Sequence, residues 1–248
     1  AFSVMPGGDG FFFYAWDGGG TYSAENAYML SWVPGPAMAV AAVTGPTPKD
    51  DPFVFHQEFH YEQDLFTAIA FFSSPENDYW FWKYFIAGEV GENVRTFQFE
   101  AKGALPGGDQ VDMTIRFFSA TESGVPLEHH ATASVNGTPV GEILWNGIGP
   151  AELAVQFDPA LLSGGTNTME ITALLGSNVE YSIFYVDSFD LKFMRKYEAV
   201  NDQLEFRGET NGIVTVTGFS TSAVYVADLS NNRMPVLLDG VTIDSTGG

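Results

Sequence analysis

Cysteine is missing from this 248-residue chain. Disulfides, thiolate metal sites and cysteine nucleophiles are therefore all excluded. Basic residues are scarce: ten Lys and Arg stand against 31 Asp and Glu, for a net charge of −21. Nucleic acids and anionic membranes both demand basic surfaces, so neither is an expected partner. No apolar run approaches the ~20 residues of a bilayer-spanning helix, so membrane insertion is not expected. No segment sustains a 3.6-residue period, and only residues 37–43 and a turn at 159–162 read as helical. The glycines at 18–20 and 107–108 lack a strand–loop–helix context, which makes them turn glycines rather than phosphate cradles. The chain begins at Ala1 without an initiator Met or a visible signal peptide, which a processed N-terminus or a trimmed chain would each explain. The acidic balance suits an extracellular protein, a cation binder or a protein of a saline habitat.

The residues that are present describe a folded β protein. Hydrophobic residues make up 45% of the chain and aromatics 15%, enough for a real core. The organising stretch is 172–197, whose second half reads as a long strand. Tyr181, Ile183, Tyr185, Phe189, Leu191 and Phe193 share one face by alternation, with Ser182, Ser188, Asp190 and Lys192 on the other. Asp187 falls on the apolar face, where a lone carboxylate must be hydrogen-bonded, metal-bound or turned outward by a bulge.

Further strands are expected at 11–16, 22–32, 53–62, 65–72, 79–85, 94–101, 111–120, 129–135, 139–145, 153–157 and 167–175. Shorter ones follow at 204–206, 212–218, 223–229 and 236–243. Asn136-Gly137 marks a tight hairpin, because both positions tolerate positive φ. The expected fold is all-β, an antiparallel β-sandwich with a jelly-roll core, in one or two packed β domains. A Pro-rich connector ends near Lys49, which sets a boundary there.

Three groups of residues carry candidate chemistry. Trp80, Trp82 and Tyr84 alternate onto one face, where they form either part of the core or a platform for sugar rings; Trp145, near a turn, and Trp16 are equally ambiguous. Asp187, Asp109 and Asp112 are candidate calcium ligands, with Asp9, Asp17, Asp50, Asp51 and Asp78 adding oxygen-rich loops but no EF-hand spacing. His56, Glu58, His60 and Glu62 alternate on one strand face. They read as a solvated face unless His129 or His130 supplies a further metal ligand, since His56 and His60 lie about 13 Å apart.

Several stretches, in order, resemble the non-catalytic β-rich regions of gingipain-like (C25-family) secreted proteins. They are FFFYAWDGGGTYSAENAYMLSW, FHQEFHYEQD with YWFWKYF, HHATASVNGTPVGEILWNG with GGTNTMEITAL and SIFYVDSFDLKFMRKY, and LEFRGETNGIVTVTGFSTSAVYVADLSNNRMPVLLDG. The middle part also resembles a galactose-binding-like jelly roll through Gly165-x-Asn167 ahead of the strand at 169–174. The family's protease needs a cysteine nucleophile, which this chain lacks, so the resemblance implies a non-enzymatic module. It further implies a secreted or cell-surface accessory region with carbohydrate or protein contacts. Residues 50–198 would be a jelly roll inserted between outer segments 1–49 and 199–248. The competing expectation is a filament-forming surface subunit that self-assembles through strand edges at 11–16 or 236–243.

Overall fold

A computed structural model describes residues 2–4, 11–13, 39–42, 54–68, 79–207, 213–231 and 234–244. Three short strands come first: β1 (Phe2–Val4), β2 (Phe11–Phe13) and β3 (Ala39–Ala42). Then follow β4 (Val54–Glu62), β5 (Phe66–Thr67), β6 (Trp80–Phe81), β7 (Lys83–Ile86), β8 (Val94–Glu100), β9 (Val111–Ser119), β10 (His129–Val135) and β11 (Thr138–Trp145). The series ends with β12 (Gly149–Phe157), β13 (Thr166–Leu175), β14 (Ile183–Lys196), β15 (Val226–Asp228) and β16 (Val236–Asp239). Among the described residues a 3₁₀ turn, Pro159–Leu161, is capped by the Asp158 side chain, which accepts from the Ala160 N–H at 2.8 Å.

The expected all-β architecture is present as a jelly roll. One sheet runs β11-β10-β13-β8 and the other β12-β9-β14-β4, with β7 pairing the first part of β14. All of these pairings are antiparallel. Apart from the β10–β11 hairpin, each connection from β8 to β14 crosses between sheets. That hairpin turns at Asn136-Gly137, with φ of 49° and 80°, as the sequence signal requires. Between the sheets lies the core, in which Phe97, Phe99, Phe117, Ile115, Met169, Ile171, Phe184, Phe189 and Leu191 are fully or almost fully buried. Each such side chain contributes about 1.5–3 kcal/mol over an exposed one.

Strand β14 departs from the single phase expected of it. Its register against β9 slips between Val186, opposite Phe117, and Phe189, opposite Ile115. Asp187 and Ser188 therefore share one partner position, which is a β-bulge. Before the bulge the buried apolar residues are Phe184 and Val186; after it they are Phe189, Leu191 and Phe193. One extra residue swaps the inward parity, so Tyr185 and Asp187 are only partly buried and lie on the outer face.

Other expectations change for equally local reasons. Ala39–Ala42 is a strand rather than a helix, because it pairs in parallel with β16. No strand forms at 204–206; Phe206 instead packs edge-on against Tyr197 at 5.0 Å. Within the described part of the strand expected next, 213–218, only isolated bridge positions occur. Strand β16 is paired on both sides, by β15 and β3, and so presents no free edge. The expected strand at 22–32, and Trp16, lie outside the described residues.

Candidate functional site

The outer face of the β12-β9-β14-β4 sheet carries a chain of charges that crosses four strands. Arg116 on β9 pairs with Asp190 on β14 at 2.7 Å, and with Glu152 on β12 at 3.8 Å. Asp190 in turn bonds His60 Nδ1 on β4 at 2.6 Å, and the other ring nitrogen meets Glu62 at 2.8 Å. Burial works against the charged form of His60, but the bonds to Glu62 and Asp190 outweigh it and raise its pKa. Burial likewise pushes Asp190 up, and Arg116 and His60 together hold it below its ordinary range. This is a self-satisfied surface network, with Lys192–Glu58 beside it at 3.6 Å.

The candidate calcium ligands are not brought together. Asp109 reaches His56 at 3.4 Å, Asp112 accepts from Gln156 at 2.7 Å, and Asp187 sits in the bulge beside Ser188, whose hydroxyl donates to it at 3.3 Å. Asp112 lies opposite Lys192, whereas Asp187 lies opposite Arg116, about 13 Å along β9. The histidines also disperse: His130 pairs with Glu142 at 3.1 Å on the other sheet, far from the His56–Glu62 face. Among the described residues no group of three or more His, Cys, Asp or Glu side chains could hold a metal. Asp9, Asp17, Asp50, Asp51 and Asp78 lie outside them.

The aromatic row is broken at Trp82. A bend there lets both Trp82 (6% exposed) and Phe85 (0% exposed) point into the core, although they are three residues apart. Trp82 stacks on Phe189 with 5.6 Å between centroids, so it offers no face to a ligand. Tyr84 lies under the Arg95 guanidinium at 5.3 Å and against Phe66 at 5.2 Å. Trp80 is half-buried on the short β5–β6 ladder. Trp145 packs against His129, Phe184 and Phe117, at 5.1, 5.0 and 5.5 Å respectively. These four rings do not form a flat platform.

What the sequence reading missed lies at one end of the sandwich. The loops 87–93, 120–128, 146–148 and 176–182 all leave the same end, because each joins strands whose neighbouring termini are paired there. Beneath them, His129 (0% exposed) receives its fixed tautomer from two partners. Nε2 meets the Thr121 carbonyl at 3.0 Å and must donate, so when the ring is neutral its Nδ1 accepts from the Ser182 hydroxyl at 2.8 Å. Glu128, also buried, accepts from the Gly147 N–H at 2.8 Å and from the Ser123 N–H. Burial pushes the Glu128 carboxyl up, and these donors more than offset it, holding it below its ordinary range.

A serine, a histidine and a glutamate thus lie in contact range, with His129 Nε2 3.9 Å from Glu128. The serine is fully buried and its hydroxyl is committed to the ring, so the trio works as a staple for the loops. A cleft of about 390 Å³ opens above it, between Glu122, Val125, Pro126, Asn146 and Gly147. The fourth loop is held by Arg95, which donates to the Gly91 carbonyl at 2.6 Å and pairs with Glu92. Only the topology relates Glu128 and His129 to Ser182; no local sequence signal does.

No protein-family model matches the chain, and no curated protein matches it in sequence. Among solved structures it is similar to dimeric latent PorU from Porphyromonas gingivalis, with a TM-score of 0.60 and 12% identity, over 84% of this chain and 20% of that one. The chain thus spans about one fifth of the PorU chain it matches, and the likeness is one of fold. PorU is a gingipain-like C25-family protein. A CBM36-1 domain of a multidomain xylanase from the hindgut metagenome of Trinervitermes trinervoides overlays at a TM-score of 0.32 and 14% identity, over 55% of this chain and 96% of its own. A CBM36 carbohydrate-binding module in complex with calcium and xylotriose gives 0.31 and 10%, over 54% and 98%. Scores this low say nothing about a ligand.

Proposed function

We propose that this chain is a non-enzymatic, extracellular binding module, an accessory region of a gingipain-like secreted protein. The observation that carries the reading is the PorU-like fold across 84% of the chain, in a sequence that lacks the cysteine on which that family's protease depends. The one serine–histidine contact among the described residues is sealed, which supports a scaffold role rather than hydrolysis. Protein contacts are favoured over glycans, since Trp82 is in the core and Tyr84 lies beneath Arg95. In the same reading, 1–49 and 199–248 make one discontinuous unit around the inserted 50–198 jelly roll. The parallel pairing of β3 with β16 supports it.

Two measurements test the proposal together. Fractionation of the producing cells should find the chain at the surface or in the medium, and the purified chain should turn over no fluorogenic peptide library. A cytoplasmic location, or turnover that is lost in Ser182→Ala, would overturn the reading.

A further inference from the structure

The four loops gathered at one end of the jelly roll differ in composition from the molecule around them. Loops 87–93, 120–128, 146–148 and 176–182 contain five glutamates, Glu89, Glu92, Glu122, Glu128 and Glu180, and no lysine or arginine. Arg95 answers Glu92, and backbone amides answer Glu128. Glu89, Glu122 and Glu180 are exposed and make no ion pair among the described residues. Between these acids the loops hold apolar side chains outward: Val90 is 92% exposed, Ile148 54% and Tyr181 50%. Leu127 stands beside them at a φ of 55°, a conformation unfavourable for a branched residue.

Loops shaped only by solvent would not carry apolar tips on a rigid base. Here the base is built from the buried side chains of Glu128, His129 and Ser182, with the partly buried Arg95 beside them. Glu128 ties loop 120–128 to 146–148, His129 ties 120–128 to 176–182, and Arg95 closes 87–93. Burying a carboxylate and an imidazole costs free energy that an apolar floor would not. What that arrangement supplies is pre-organisation, which lowers the ordering cost of docking.

From this we infer that the loop end is a docking face for a protein segment that combines lysine or arginine with apolar side chains. The inference rests on the binding-module reading and names the partner's chemistry. Charge complementarity selects the occupant. A second copy would set glutamates against glutamates, and nucleic acid or an anionic membrane would meet the same repulsion. A basic segment finds three unpaired carboxylates, apolar contacts at Val90 and Ile148, and the cleft over Glu122 and Val125.

The test uses the whole chain and a fluorescein-labelled amphipathic peptide of leucine and lysine, titrated by anisotropy. The wild type should bind, more weakly as salt rises. The double variant Val90→Asn/Ile148→Asn should bind at least about tenfold more weakly. The triple variant Glu89→Gln/Glu122→Gln/Glu180→Gln should lose most of the salt dependence. Met234→Asn, an exposed apolar residue elsewhere (70% exposed), should bind as wild type does. Absence of binding overturns the inference, as does equal binding by all variants, which would be diffuse attraction to a chain of charge −21. Self-association, or partitioning onto zwitterionic vesicles that the loop variants abolish, would overturn it in favour of a second copy or a lipid surface. Failure of the inference with a positive glycan array would leave the module reading standing; peptide turnover by the wild type would remove that reading itself.

Discussion

The two ends of the jelly roll are built on opposite plans. At one end, Asn167 is completely buried and fully used. Its carbonyl accepts from the Ser163 N–H at 2.7 Å and from Asn136 at 2.8 Å, and its amide donates to the Ser163 and Gly165 carbonyls at 3.2 and 2.9 Å. Asn136 donates in addition to the Leu161 carbonyl at 2.7 Å, and Leu161 and Leu162 pack on the core. Near the same end, Arg195 lies over Phe55 at 5.7 Å and donates to the Glu198 carbonyl at 2.8 Å. Polar side chains there turn apolar residues inward. At the loop end, buried polar side chains hold the apolar tips out. The contrast shows that satisfied buried polar groups fix a loop's shape, while the placement of its apolar residues decides whether the loop closes the core or faces a partner.

The sharpest way to break this comparison is at the closed end. Asn167→Ala removes acceptors from two donors and donors from two carbonyls, and should lower unfolding stability by roughly 2–4 kcal/mol in denaturant titration. A change within experimental error would mean that the asparagine pair is not what closes that end. At the loop end the corresponding change is Ser182→Ala, which leaves the buried His129 Nδ1 without its donor. It should cost about 1–3 kcal/mol, while the tip variants Val90→Asn and Ile148→Asn should stay within about 0.5 kcal/mol of wild type. Tip variants as costly as the floor variant would make those residues part of the core.

Much of this architecture was legible in the sequence, and its failures have physical causes. The Asn136-Gly137 turn could be read because two adjacent positive-φ positions tolerate few residues. The phase of β14 could not, because an inserted residue leaves the same list of aromatics and only shifts which of them face in. The shared face of Trp80, Trp82 and Tyr84 breaks for a related reason: alternation assumes an unbroken strand, and a bend interrupts β6 and β7 there. Ala39–Ala42 has helical composition but takes strand geometry from β16, nearly 200 residues later. Of the candidate site, Trp80, Tyr84, Trp145 and the three aspartates could be named but not placed. The loop end, whose residues come from four separated segments, is legible only once the strand order is known.

Smaller effects concern the outer charged face, which belongs to neither end. Raised above its ordinary 6.5, the folded His60 pKa gives stabilisation that is full below pH 6.5 and is lost as pH rises through the folded value. Asp190, lowered from 3.8, gives stabilisation present above pH 3.8 and lost as pH falls through its folded value. The network is therefore complete between these limits. Because the groups are half-exposed, His60→Gln should cost no more than about 1 kcal/mol near pH 6 and flatten the melting temperature's decline above pH 6.5. An unaltered pH profile in that variant would show the network to be energetically silent. Smallest of all is the calcium effect: if the acidic loops hold a structural Ca²⁺, excess chelator at fixed ionic strength should lower the melting temperature, and an unchanged curve would remove calcium from the account.

Amide hydrogen exchange, with and without the saturating leucine–lysine peptide, tests the division of labour between the ends most directly. Added protection should appear in 87–93, 120–128, 146–148 and 176–182, with 158–167 slow to exchange and unchanged in both states. Protection spread along the charged sheet face, or centred on the asparagine-closed end, would contradict the account.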